Sequence, residues 1–143
     1  MTMTTSAKGR ALIAQREGNI LKAYKDSVGV LTIGVGHTTA AGAPAVTPGM
    51  TITAAQSDEI LTRDLKDCEN HINSLVKVPL TQNQFDALVS FVFNIGWPGF
   101  AKSTLLKKLN VKDYKGAAAA FDMWHIPPEI TGRRNSEKAQ FLS

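Results

Sequence analysis

A chain of 143 residues, 43% hydrophobic and 20% charged, has the make-up of one compact globular domain able to bury about two-thirds of its unfolded surface. The formal charge of +4 is uneven: five Lys/Arg against two Asp/Glu in residues 1–50, three against six in 51–99, and eight against four in 100–143. Basic ends suit an anionic partner, but no nucleic-acid motif accompanies them, so nucleic acid is not expected. The lone Cys68 excludes an internal disulfide, and its place in a helical pattern marks it as a small buried hydrophobe. No stretch approaches the roughly 20 apolar residues of a membrane span, and the first ten residues lack the apolar core of a signal peptide.

In chain order, Ser6 reads as the N-cap of a helix over 6–16, with Gly18 as its stop and Glu17 at its carboxyl end. A β-rich stretch follows over 22–37. Asp26-Ser-Val-Gly29 is its turn, and Val30 to His37 its second strand. Alternation there sends Leu31, Ile33, Val35 and His37 to the core and Thr32, Gly34 and Gly36 to an open face that a ligand can approach. Thr53 and Gln56 make a capping box ahead of a long helix over 54–75, which links a small N-terminal lobe to a helical one. Thr81 and Gln84 repeat the box, and Gly96-Trp-Pro-Gly99 ends the helix they start. Further helices are predicted over 101–109, 113–124 and 131–142, with Pro127-Pro128 separating the last two. The fold class is α+β and mostly helical: one domain over 1–143, with lobes of about 15–53 and 54–143 and a small antiparallel sheet.

Cleaving a glycosidic bond needs a carboxylic acid to protonate the leaving oxygen and a second carboxylate to serve water or attack the sugar. Glu17, Asp26 and Thr32 supply two carboxyls and a hydroxyl within sixteen residues. The negative pole of a helix end disfavours an added negative charge at Glu17, whereas Asp26 lies in a polar turn beside Lys25. Each residue alone also fits a solvated surface or structural role, and spacing by itself leaves the choice open. His37 shares a face with three apolar residues and reads as a hydrogen-bonded core histidine before a catalytic one. No HExxH motif or Cys pair is present, so neither a metal nor another cofactor is expected.

The block Glu17 to His37 resembles the active-site segment of phage-type lysozymes, glycoside hydrolase family 24: Glu, eight residues, Asp, five residues, Thr, then Ile-Gly-hydrophobic-Gly-His. Likeness to the lambdoid-phage endolysins of that family continues through Phe91–Gly96, Phe100, Ser103–Asn110 and Trp124. The resemblance implies a two-lobed lysozyme-like fold and a muramidase that cuts the β-1,4 bond from N-acetylmuramic acid to N-acetylglucosamine in peptidoglycan. It implies Glu17 as general acid, Asp26 and Thr32 as the groups that activate and hold water, and inversion at the anomeric carbon. Phe93, Asn94 and Ser103 match the family's substrate-binding surface. Trp97 and Trp124 are read as packing residues before sugar platforms, and Arg133 and Arg134 as wall contacts, a solvated face or a structural ion pair. The resemblance further implies a monomer without membrane insertion, held in the host cytoplasm until a holin-made lesion releases it to the wall. The alternatives are a lytic transglycosylase forming 1,6-anhydro ends, and a non-catalytic basic protein that binds cell wall or nucleic acid.

Overall fold

The computed structural model describes residues 2–126 and 128–143, so Pro127 of the expected Pro127-Pro128 separator lies outside the described residues. Seven α-helices and one two-stranded antiparallel sheet are present among them: α1 (Ala7–Glu17), β1 (Ile20–Lys25), β2 (Leu31–Gly34), α2 (Ala54–Leu75), α3 (Gln82–Ile95), α4 (Trp97–Ala101), α5 (Thr104–Asn110), α6 (Tyr114–Ala120) and α7 (Thr131–Leu142). The expected class, mostly helical with a small sheet, is the one observed.

Both predicted capping boxes form. The Gln56 and Gln84 backbone N–H groups donate to the hydroxyls of Thr53 and Thr81 at 3.1 Å, and each glutamine side-chain carbonyl accepts the threonine's backbone N–H at 2.9 Å. Ser6 caps α1 by accepting the Gly9 N–H at 3.0 Å. The helix expected over 101–109 is instead two. Pro98 suits the first turn of a new short helix, α4. Ser103 then ends α4 by donating to the Phe100 carbonyl at 2.7 Å and starts α5 by accepting the Leu106 N–H at 3.1 Å. The helix expected over 113–124 is α6, continued by a 3₁₀ turn over Phe121–Met123.

The strand expected to reach His37 stops at Gly34. Gly34 has φ +63°, and a Cβ there would lie 2.9 Å from Ser57 Oγ, so only glycine fits and the chain turns. Ile33 and His37 then exchange backbone hydrogen bonds at 2.9 Å across that turn. Ser57 and Ile52 lie against Gly34, and Thr32, expected on an open face, is buried along with Ile33, Gly34, Val35 and His37.

Two compact units divide the chain, Arg10–Lys66 and Met1–Gly9 with Asp67–Ser143, the boundaries falling inside α1 and α2. In the unit over 10–66, Ile13, Ile33, Val35, Val46, Ile60, Leu61 and Leu65 are buried. In the other, α3 packs on α7 and α5 on α6, around a cluster in which Phe91 meets Phe100, Phe121 and Trp124 edge-on at 5.1 to 6.4 Å. The leading segment of this unit is strapped down by polar side chains. Met3 exchanges backbone hydrogen bonds with the Asn73 amide. Thr5 gives its N–H and hydroxyl to Glu69 at 2.9 and 2.6 Å, and Ser6 gives both of its own to Asp86.

Candidate active site

The β1–β2 hairpin positions the first candidate residues. Its register pairs Tyr24 with Thr32 and Lys25 with Leu31. One step further, the Asp26 N–H donates to the Val30 carbonyl at 2.9 Å and closes a three-residue loop. Inside the loop the Gly29 N–H donates to the Asp26 carbonyl at 3.0 Å, with Gly29 at φ +84°, the left-handed geometry such loops demand. Asp26 itself shapes the turn: its Oδ1 accepts the Val28 and Val30 N–H groups at 2.9 and 2.8 Å. Its Oδ2 has no hydrogen-bond partner among the described residues.

Strand periodicity then decides which side chains meet. Asp26 lies two residues beyond Tyr24 on one strand, and Thr32 lies opposite Tyr24 on the other. Residues two apart share a face, as do directly opposed partners, so Asp26 and Thr32 are diagonal neighbours on one side of the hairpin. Thr32 is 4% exposed and donates its hydroxyl hydrogen to the Val30 carbonyl at 3.0 Å. The oxygen's lone pairs therefore serve as acceptors. Glu17 is the last residue of α1 and is half-buried, where the Gly18 N–H closes the helix on the Ala14 carbonyl at 2.9 Å. All three residues belong to the unit over 10–66.

The other predicted residues lie in the second unit. Phe93 is half-buried and Asn94 exposed in the last turn of α3. Asn94 Oδ1 accepts a hydrogen bond from Arg134, which turns its amide NH₂ away from that contact. Ser103 is 4% exposed, and its hydroxyl joins α4 to α5, so the geometry gives it a capping role.

A family model, Phage lysozyme, matches residues 14–137. The endolysin of Salmonella phage P22 is 50% identical over 145 residues, covering 99% of each chain. The chain belongs to the phage lysozyme family. A crystal structure of a P22 lysozyme mutant superposes with a TM-score of 0.92 at 49% identity over 99% of both chains. The muramidase domain of SpmX from Asticaccaulis excentricus gives 0.86 at 39% identity over 98% of both. Family membership makes this phage lysozyme a peptidoglycan-hydrolysing glycoside hydrolase.

Two polar clusters of this phage lysozyme were only half visible in its sequence. His37 is 1% exposed, with Nδ1 2.7 Å from Asp64 Oδ2 and Nε2 donating to the Pro44 carbonyl at 2.9 Å. A carbonyl can only accept, so Nε2 carries a proton and Nδ1 is the atom that shares one with Asp64. Burial pushes the Asp64 carboxyl above its ordinary range, and the hydrogen bond and charge of His37 pull it back down. In the second unit, Glu137 is fully buried. It receives Arg133 Nε at 3.0 Å, the Ser90 hydroxyl at 2.5 Å and Arg134 Nη1. Arg134 is 1% exposed, donates to the Trp124 carbonyl at 2.9 Å and lies 5.0 Å over the Phe91 ring. Of the readings open for Arg133 and Arg134, the structural ion pair is the one found. Sequence pointed to the arginines but not to Ser90, and it read Asn94 as a substrate contact where the structure also gives it a bond to Arg134; both enter from α3.

Proposed function

We propose that this phage lysozyme is a muramidase that hydrolyses the β-1,4 bond between N-acetylmuramic acid and N-acetylglucosamine with inversion, as an endolysin. The observation that carries the reading is the hairpin register: a carboxylate with one oxygen unengaged and a hydroxyl whose own hydrogen is already donated share one side of the hairpin. A water held there can donate one hydrogen to Thr32 Oγ1 and lose the other to Asp26 Oδ2. It then attacks the anomeric carbon while Glu17, protonated, delivers its hydrogen to the departing glycosidic oxygen. Inversion calls for room for that water, with the two carboxyls about 6.5–9.5 Å apart when substrate is bound.

In the second unit, Asn94's amide NH₂ can donate to an acetamido carbonyl and Phe93 can pack against a sugar face. Among the described residues no helix is long and apolar enough to cross a membrane; release to the wall through a holin-made lesion is part of the proposal. Product analysis of purified sacculi tests the chemistry. Wild type should yield hydrated reducing ends, and Glu17→Gln, though folded, should yield none. Anhydromuramyl ends would transfer the protein to the lytic transglycosylases, and full activity of Glu17→Gln would remove Glu17 from the mechanism.

A further inference from the structure

The sequence reads Trp97 as a packing residue before a sugar platform, and the structure shows it packed on one side and open on another. It starts α4 and is 42% exposed, the only aromatic among the exposed large apolar side chains of the described residues. Trp124, by contrast, packs edge-on against Phe91 at 5.7 Å. Trp97 is nonetheless not loose. The His71 ring of α2 lies parallel to it, 4.2 Å between centroids and 8° between planes, and His71 Nε2 is within 3.5 Å of Asp67 Oδ1 one helical turn back. All three residues lie in the same compact unit. One indole face is thus covered by a polar ring, while much of the remainder meets solvent.

Leaving so much of an indole in water forgoes the burial that drives most tryptophans inward. What the arrangement provides is a flat apolar surface fixed before any ligand arrives, so little freedom is lost on binding. A pyranose ring with equatorial substituents presents a flat face of C–H bonds, the shape and polarity that such a surface accepts. Its rim of hydroxyl and acetamido groups can reach polar neighbours such as Asp67, which is largely exposed. The eight Lys/Arg against four Asp/Glu in residues 100–143 of the same unit suit an acidic polymer over a neutral one.

We infer that Trp97, held flat by His71, is a stacking platform for one sugar of the glycan strand, an inference that rests on the glycan substrate proposed above. His71 acts as a positioning residue and does not itself touch the sugar. The test is co-sedimentation of the full-length Glu17→Gln protein with purified sacculi, with further changes at the two rings. Trp97→Ala should weaken binding roughly two- to tenfold. Trp97→Tyr should retain most of the affinity, and Trp97→Leu, apolar but not flat, should bind as poorly as alanine. His71→Ala should weaken binding, and His71→Phe, which restores a parallel ring, should recover it. Unchanged binding by Trp97→Ala, or recovery by Trp97→Leu, overturns the platform. Sugar release by wild type from the same sacculi is read in parallel. Its absence would sink the hydrolase reading, whereas release with unaltered Trp97→Ala binding would sink only the platform.

Discussion

Asp26 has two tasks that a single substitution can separate. One oxygen holds the turn by accepting two backbone N–H groups, and the other is the proposed base. Asparagine keeps a carbonyl oxygen for the turn and loses the basic oxygen. Asp26→Asn should therefore unfold within about 1 kcal/mol of wild type while losing at least roughly 100-fold in sacculus lysis, the scale of a general base. Asp26→Ala should lose activity and also stability, by about 1–3 kcal/mol, as two turn amides lose their acceptor. Urea unfolding and turbidity assays on both variants check the division. Cys68 offers a second test at this scale. Burial, and then the charges of Asp67 and Glu69, push its thiol up to about 12. At pH 8 almost no thiolate exists, so a disulfide reagent should label the folded protein far more slowly than the urea-unfolded chain. The structure leaves Cys68 half-buried where the sequence reads it as buried, and comparable rates in the two states would mean that this partial cover does not shield the thiol. The roles of Asp26 and Gly29 were legible in the sequence because a turn is settled within five residues. The burial of Thr32 was not, since alternation along a strand does not show what the rest of the chain lays against it.

At the scale of elements, the His37–Asp64 pair ties the turn after β2 to α2 within one unit. Removing the imidazole leaves a buried carboxyl with no partner, so His37→Ala should cost about 3 kcal/mol near neutral pH. The sign of the pH dependence follows from Asp64. Its folded carboxyl holds a proton more tightly than in the unfolded chain, where the value is 3.8. That contribution is fully present below 3.8 and is lost as pH rises through the folded value. Without His37 to pull it down, the carboxyl stays protonated to higher pH. The thermal deficit of His37→Ala against wild type should thus be small at pH 4 and grow towards pH 7. A deficit independent of pH would mean that Asp64 is not the group left stranded. Helix starts were readable because a capping box spans only four positions. The partner of His37 lies 27 residues away and is chosen by how α2 packs, which no local pattern encodes.

For the whole molecule, the Glu137 cluster fastens α7 to α3 in the larger unit, with Arg134 buried beside it and Arg133 half-buried. Glu137→Gln removes the negative charge that both guanidinium groups share. It should destabilise by about 3–5 kcal/mol, seen as a lower urea midpoint, as for any interior ion cluster deprived of one member. A change below about 1 kcal/mol would mean that solvent reaches the arginines. That unit is also built from both ends of the chain, with Met3, Thr5 and Ser6 held by Asn73, Glu69 and Asp86. On the ribosome, then, residues 3–6 are made before the side chains that anchor them. Until translation has passed Asp86, Ser6 lacks the carboxylate that takes both of its hydrogens in the folded unit.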